Sequence, residues 1–224
     1  TSPRMASIAV NSSAVYITTY GNTVSGYISD LVKLPLDLSS QTLVQTTTGM
    51  LFNEVDLLSN GNVVVLAKDM TSDPLGAPIM RIFNSSGTQL SSGTKNQGNS
   101  NRILTSTYYN ELLAIDSSDN IIFVQHNTAA VNEAYIVKYD SSGNFINEKK
   151  LPRYNVWPRG MSIRQNPEET DEIIALTATV QPTGVYGDDT LLYRYSGGVA
   201  RFSNSAAPVT STPGYAEITL SLDS

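Results

Sequence analysis

The sequence predicts an all-β chain built from a repeated four-stranded unit of about fifty residues. Three observations carry this. Segments rich in β-branched and aromatic residues recur at near-regular distances. Clusters of Asn, Asp, Ser and Gly separate them. A short motif, Pro3-Arg4-Met5-Ala6-Ser7-Ile8, returns as Pro158-Arg159-Gly160-Met161-Ser162-Ile163, with a weaker echo at Pro213-Gly214-Tyr215-Ala216-Glu217-Ile218.

The first strand of each unit is read from this motif. Two further copies have the same apolar-to-turn outline, Leu57-Leu58-Ser59-Asn60 and Leu113-Ala114-Ile115-Asp116. Taking Ile8, Leu57, Leu113, Ile163 and Ile218 as equivalent gives spacings of 49, 56, 50 and 55 by subtraction. The second strands are Ala14–Tyr20, Asn62–Lys68, Ile121–Gln125 and Glu172–Val180. Their Val, Ile, Thr, Tyr and Phe content suits a pleated, half-buried surface. The third strands are Gly26–Val32, Pro78–Phe83, Ala134–Tyr139 and Leu191–Tyr195, each followed by a turn and a short polar fourth strand. One segment competes with this scheme. Asn166–Glu172 reads as a helix start, with an Asn cap, Pro at the first helical position and acids behind it. The repeat requires a strand after it, so an extended loop into a strand is preferred.

The turns between third and fourth strands are Asn84-Ser85-Ser86-Gly87, Asp140-Ser141-Ser142-Gly143 and Ser196-Gly197-Gly198. Asp140–Asn144 also invites a calcium reading. A calcium loop needs oxygen ligands at its first, third and fifth positions, Gly at the sixth and Glu at the twelfth. Counted from Asp140, the third is Ser142, the fifth Asn144 and the sixth Phe145. The copy at Asn84 repeats the turn without an acid, so a plain turn is expected.

Four strands per unit of this length is the pattern of a β-propeller blade. The expectation is one propeller domain over residues 1–224, with units at about 3–50, 51–106, 107–156 and 157–212. A closing or truncated strand at 213–224 follows. The chain resembles the bacterial and phage β-propeller repeats that carry an Asp-x-x-Gly-Asn turn in each blade. That resemblance implies blades around a channel, with ligands met at one channel end or its loops. The class includes enzymes, sugar-binding proteins and structural parts of cell surfaces and virions, so the fold gives a location and not an activity.

Composition narrows the chemistry. The chain has 224 residues, 40% hydrophobic and 15% charged, with a net charge of −6. An acidic chain without a basic cluster argues against nucleic acid as partner. No cysteine is present, which removes disulfides, thiolate catalysis and Cys-ligated metals. No run of eighteen apolar residues suggests membrane insertion. The opening on Thr1 suits a mature product or an excised piece. Asn11-Ser12-Ser13 and Asn84-Ser85-Ser86 fit the glycosylation pattern.

No catalytic motif emerges. His126 is the single histidine, read just past a strand, and no G-x-S-x-G elbow accompanies it. Glu168, Glu169, Asp171 and Glu172 form one acidic cluster and Asp188-Asp189 another. Either can serve a sugar-active site only if two carboxylates face each other about 5–10 Å apart. Solvated loops are the plainer reading. The ligand-binding candidates are Tyr108, Tyr109, Tyr154 and Trp157, whose rings suit sugar stacking or protein contact, with Arg4 and Arg159 at matching motif positions. The competing reading is that the rings fill gaps between blades and the arginines tie blades together.

The expected function is a non-enzymatic module outside a cell or on a virion or cell surface. It would be scaffold and binding surface for other protein subunits or glycans, with no cofactor and no metal. The alternatives are a sugar-active hydrolase- or lyase-like fragment and a self-assembling subunit. A homo-oligomer or membership of a longer chain fits the unmatched strand at 213–224.

Overall fold

The computed structural model describes residues 4–23, 26–71, 76–97, 102–104, 112–127, 133–154, 156–165, 172–180 and 189–196. These form sixteen strands in four antiparallel sheets, with no helix among the described residues. Sheet 1 holds β1 (Arg4–Val10), β2 (Ala14–Thr23), β3 (Gly26–Pro35) and β4 (Thr42–Thr48) in that spatial order. Sheet 2 holds β5 (Met50–Leu57), β6 (Val63–Asp69), β7 (Ala77–Phe83) and β8 (Gln89–Thr94). Sheet 3 holds β10 (Leu113–Ile115), β11 (Ile121–Asn127), β12 (Glu133–Tyr139) and β13 (Phe145–Tyr154), with β9 (Arg102–Leu104) also paired to β11. Sheet 4 holds β14 (Val156–Gln165), β15 (Glu172–Val180) and β16 (Asp189–Ser196).

The four-stranded meanders expected from the repeat are therefore present in the first three units, and three strands of the fourth. Glu172 opens β15, so the segment that competed as a helix start runs into a strand. Residues 166–171, the turn at Gly197-Gly198 and the strand expected at 213–224 lie outside the described residues.

Sheets stack face to face, and this explains the unbroken apolar run of β6. Val63, Val65 and Ala67 point one way, into a cluster with Ala9, Ala14, Tyr16 and Leu31 of sheet 1. Val64 and Leu66 point the other way, against Leu104, Leu113, Ile121, Phe123, Val137 and Tyr139 of sheet 3. A strand buried on both faces loses the polar alternation of a one-sided strand. Each sheet's first strand crosses the preceding sheet. β5 packs on β3, β2 and β1; β9 and β10 pack on β7, β6 and β5; β14 packs on β12 and β10.

The tight turns share one geometry. In Leu58–Asn62, Asn84–Thr88, Asp116–Asn120 and Asp140–Asn144 the first residue's N–H donates to the fifth residue's carbonyl. The fourth residue's N–H donates back to the first carbonyl. The Asp140 carboxylate is consumed within its turn, accepting from the Ser142 and Asn144 amides and from Asn144 Nδ2. Hydrogen bonds from Asn144, side chain first, hold that carboxyl below the usual range. The fourth position has φ of 82°, 88° and 84° at Gly61, Gly87 and Gly143, and Asp119 takes it at 60°. Asx side chains and αL-tolerant residues are what this turn demands.

Three features correct the sequence reading. First, β1, β5 and β14 each carry an extra residue opposite their partner: Ala6, Asn53 and Arg159. Matching these bulges makes Val10, Leu57, Ile115 and Ile163 equivalent, since each pairs with the first residue of a four-residue run ending at the break. Arg4 then matches Trp157, not Arg159, and the Pro-Arg motif is offset by two residues. A two-residue offset preserves side-chain alternation, so the apolar pattern looks repeated in either register. Second, Arg102–Leu104 fell within the second unit of the sequence reading, yet pairs with β11. Third, His126 lies inside β11 and is 1% exposed.

Between sheets 1 and 2 there is a one-residue joint. Gly49 donates to the Tyr27 carbonyl of β3 and accepts from Met70 after β6, both at 2.8 Å. Its φ is 72°, and a Cβ there would collide with the Thr71 methyl.

Candidate functional site

The bulges line up on the packed first strands. In sheet 1 the register breaks opposite Thr18 and Thr19, in sheet 2 opposite Leu66 and Ala67, in sheet 4 opposite Thr177 and Ala178. In sheet 3 the same place, opposite Val124 and Gln125, takes residues 105–111 instead of a single extra residue. Leu104 pairs with Gln125, and Val124 N–H donates to the Leu112 carbonyl at 3.2 Å. Insertion at a bulge is sterically simple because the ladder is already interrupted there. It also accounts for the long second spacing: Leu57 to Ile115 is 58 positions, against 47 from Val10 to Leu57 and 48 from Ile115 to Ile163, by subtraction.

Glu54 anchors that insertion. It directly follows the bulge residue Asn53 and is 4% exposed. Its Oε2 accepts from the amides of Leu112 and Leu113 at 2.7 and 2.6 Å, so one buried carboxylate ties sheet 2 to the strand that resumes sheet 3. Lys68 lies on the same face of sheet 2, where burial lowers its amine to about 8 against the opposing pull of Glu54. Sequence inspection passed over both residues: Leu51–Leu58 interleaves Asn53, Glu54 and Asp56 with its apolar residues, and nothing in that pattern marks Glu54.

A polar network crosses sheet 3 from β9 to β12 and β13. Arg102 donates to both Glu148 oxygens at 2.6 and 2.9 Å and lies 3.7 Å from the Tyr135 ring centroid. The Tyr135 hydroxyl donates to Glu133 at 2.6 Å, and Lys150 pairs with the other Glu133 oxygen. Burial first, then the Glu133 contact, raises the Tyr135 phenol. The segment leaving β8 is bound in too. Gln125 Nε2 donates to the Lys95 carbonyl, and Gln97 donates to the Tyr139 hydroxyl. A bidentate, stacked Arg with its charge satisfied by Glu148 is a structural tie.

The sequence-chosen residues distribute as follows. Arg4 is exposed in β1, opposite Tyr20. Arg159 is the bulge residue of β14, and Trp157 stands two residues before it. Tyr154 belongs to the outer strand β13, opposite Glu133, rather than to the segment entering β14. Tyr108 and Tyr109 fall in the 105–111 insertion and lie outside the described residues. Of the described candidates, Arg4, Trp157 and Arg159 therefore belong to first strands, at or beside their register breaks. Of the two acidic clusters, Glu172 and Asp189 are the members among the described residues, and these two do not meet. Glu172 and Asp189 stand at opposite ends of β15, opposite Gln165 and Val180. Eight strand steps separate those ends, about 26 Å, against about 5–10 Å for a glycosidase pair.

No family model matches this chain, and no curated protein matches it. Among solved structures, a Bacteroides caccae protein of unknown function matches at 10% identity and TM-score 0.46, covering 85% of this chain and 61% of its own. The tail fiber of Staphylococcus aureus phage P68 matches at 12% identity and TM-score 0.30, covering 87% of this chain and 51% of its own. The chain thus spans less than two thirds of either.

Proposed function

We propose that the chain is a non-enzymatic structural module of a virion or cell surface, its sheets set as propeller blades. In this reading the bulge-bearing end of the first strands is its contact surface for surface glycans or other protein subunits. The observation that carries this reading is the coincidence of the four register breaks. Bulges re-aim side chains and are favoured next to functional sites. The breaks lie on first strands of neighbouring sheets, and the reading puts Arg159, Trp157 and the sequence stretch bearing Tyr108 and Tyr109 at that end. The opposite end of sheets 1 to 3 is closed by turns whose Asx side chains are used internally. A polar, weakly charged and cysteine-free composition suits such an exposed role.

The test is binding to an array of bacterial and eukaryotic surface glycans, with partner subunits probed by pull-down of defined candidates. Trp157→Ala, Tyr108→Ala and Tyr109→Ala should each weaken binding roughly tenfold, on the scale of a lost ring stack. Asn84→Ala, at the turn end, should leave it unchanged. Binding that tracks the turn end, or ignores both ends, refutes the reading.

A further inference from the structure

Arg81 of β7 stands where the neighbouring sheets carry valine. The equivalent residues Val10, Leu57 and Ile115 share ladder rows with Leu34, Phe83 and Tyr139 of the third strands. Two residues before these come Val32, Arg81 and Val137. Arg81 lies on the same side of β7 as Ile79 and Phe83, which pack with Tyr16 and Leu31 of sheet 1. Its side chain is therefore directed into the seam between sheets 1 and 2.

Among the described residues this seam offers the guanidinium no counter-charge. Arg81 Nε is sealed from solvent without an acceptor, and no described carboxylate pairs with the residue. Register puts Lys33, Gln45 and Thr47 of sheet 1, and Ser92 and Thr94 of sheet 2, on the facing walls. All are neutral except Lys33, a second cation, which donates to the Ser85 carbonyl and stands 5.6 Å from the Tyr16 ring centroid. Asp30 of sheet 1 and Glu54 and Asp56 of sheet 2 belong to the opposite faces. Asp69 is the described acid on this side of β6. It lies four residues from Val65, the neighbour of Arg81, or about 13 Å along the strand. Its carboxylate accepts from the Thr71 amide and hydroxyl at 2.8 and 2.6 Å.

Sheet 3 treats its cations differently, giving Arg102 the carboxylate of Glu148 and Lys150 that of Glu133. An arginine can also lay its stem on apolar surface and keep its head in water. That arrangement gives no reason to seal Nε away from every acceptor, which is costly for a charged group. The seam also opens outward. β1, β2 and β3 pack on β5, whereas β4 packs on no strand of sheet 2 to a comparable extent, and Ser92 and Thr94 are exposed. We propose that this outer seam is an anion site, in which Arg81 takes an oxyanion, the carboxylate or phosphate group of a small ligand. The terminal guanidinium nitrogens form the planar donor fork that such groups match. Ser92, paired with Arg81 across the ladder, adds a hydroxyl donor beside it. Burial works against the charge of Arg81, and a bound anion offsets that.

This site is separate from the bulge-bearing end and does not use the binding role given to it. The test is a titration of the full chain with inorganic phosphate, sodium glucuronate and glucose at constant ionic strength. The Arg81 Nε–H resonance is followed by NMR, with the melting temperature alongside. Phosphate, glucuronate or both should shift the resonance along a saturating curve, with a Kd on the order of 1 mM, and glucose should not. A response to phosphate alone assigns a phosphorylated ligand, and one to glucuronate alone a carboxylate; either supports the site. Arg81→Gln should abolish the anion-induced rise in melting temperature. Arg81→Lys, which keeps the charge and loses the fork, should weaken binding about tenfold. The wild-type resonance carries the test even where a variant fails to fold. A shift that stays linear, or that matches the shift of the exposed Arg4, overturns the proposal, as does a melting-temperature rise that survives Arg81→Gln.

Discussion

Replacing Glu54 tests how the insertion is held. Its carboxylate satisfies two buried amides, Leu112 and Leu113. Glu54→Ala leaves both without that acceptor, at about 1–3 kcal/mol each, so stability should fall by about 2–6 kcal/mol. Glu54→Gln retains an acceptor oxygen and loses only the charge assistance, a cost of about 1–2 kcal/mol. Urea unfolding gives the global values. Amide hydrogen exchange gives the local one: roughly thirtyfold faster exchange at Leu112 and Leu113 for each ~2 kcal/mol of easier opening. If the site lies at the insertion, Glu54→Ala should also weaken glycan or subunit binding without touching a contact residue. Unchanged exchange at Leu112 and Leu113 in a folded Glu54→Ala protein would refute the tie.

Further outcomes are expected elsewhere. Lys68 falls from 10.5 to about 8 on folding, so the folded state disfavours its charge. The cost is fully present below pH 8 and is relieved as pH rises towards 10.5, up to about 3 kcal/mol in all. Lys68→Met should therefore stabilise the protein at pH 7, and its advantage should vanish by pH 10.5 in thermal melts. Phe123 is fully buried and stacked on Tyr139 at 5.4 Å, so Phe123→Ala should cost about 3–5 kcal/mol in urea unfolding. Gly143→Ala meets no atom closer than 3.5 Å and should cost only its backbone strain, about 1 kcal/mol. Gly49→Ala adds a collision with Thr71 and should melt well below it.

The strands were legible because their chemistry is local. Asn62–Lys68 read as a strand from its β-branched content and Glu172–Val180 because the repeat required one there, and β6 and β15 lie there. The Asp140 turn was legible because Asp, Gly and Asn each have a conformational reason to stand there. The bulges were not legible, since Ala6, Asn53 and Arg159 share no residue type and an extra residue leaves no mark on composition. The candidate site suffered most from this. Arg4 and Arg159 looked equivalent in a register that pairing sets two residues apart. His126 was misplaced because the reading ended the strand at Gln125, whereas β11 runs on through His126 and Asn127; Gln125 and His126 are both buried. Their burial depends on β9, a partner remote in sequence.

The joint at Gly49 has a mechanical consequence. β4 passes into β5 through one residue, and that residue is hydrogen-bonded to the sheets on either side. Tension along the chain cannot draw out slack there before it reaches β-ladder bonds. A pull on the termini should therefore load sheets 1 and 2 as one body, and they should yield in a single rupture rather than as two successive extensions.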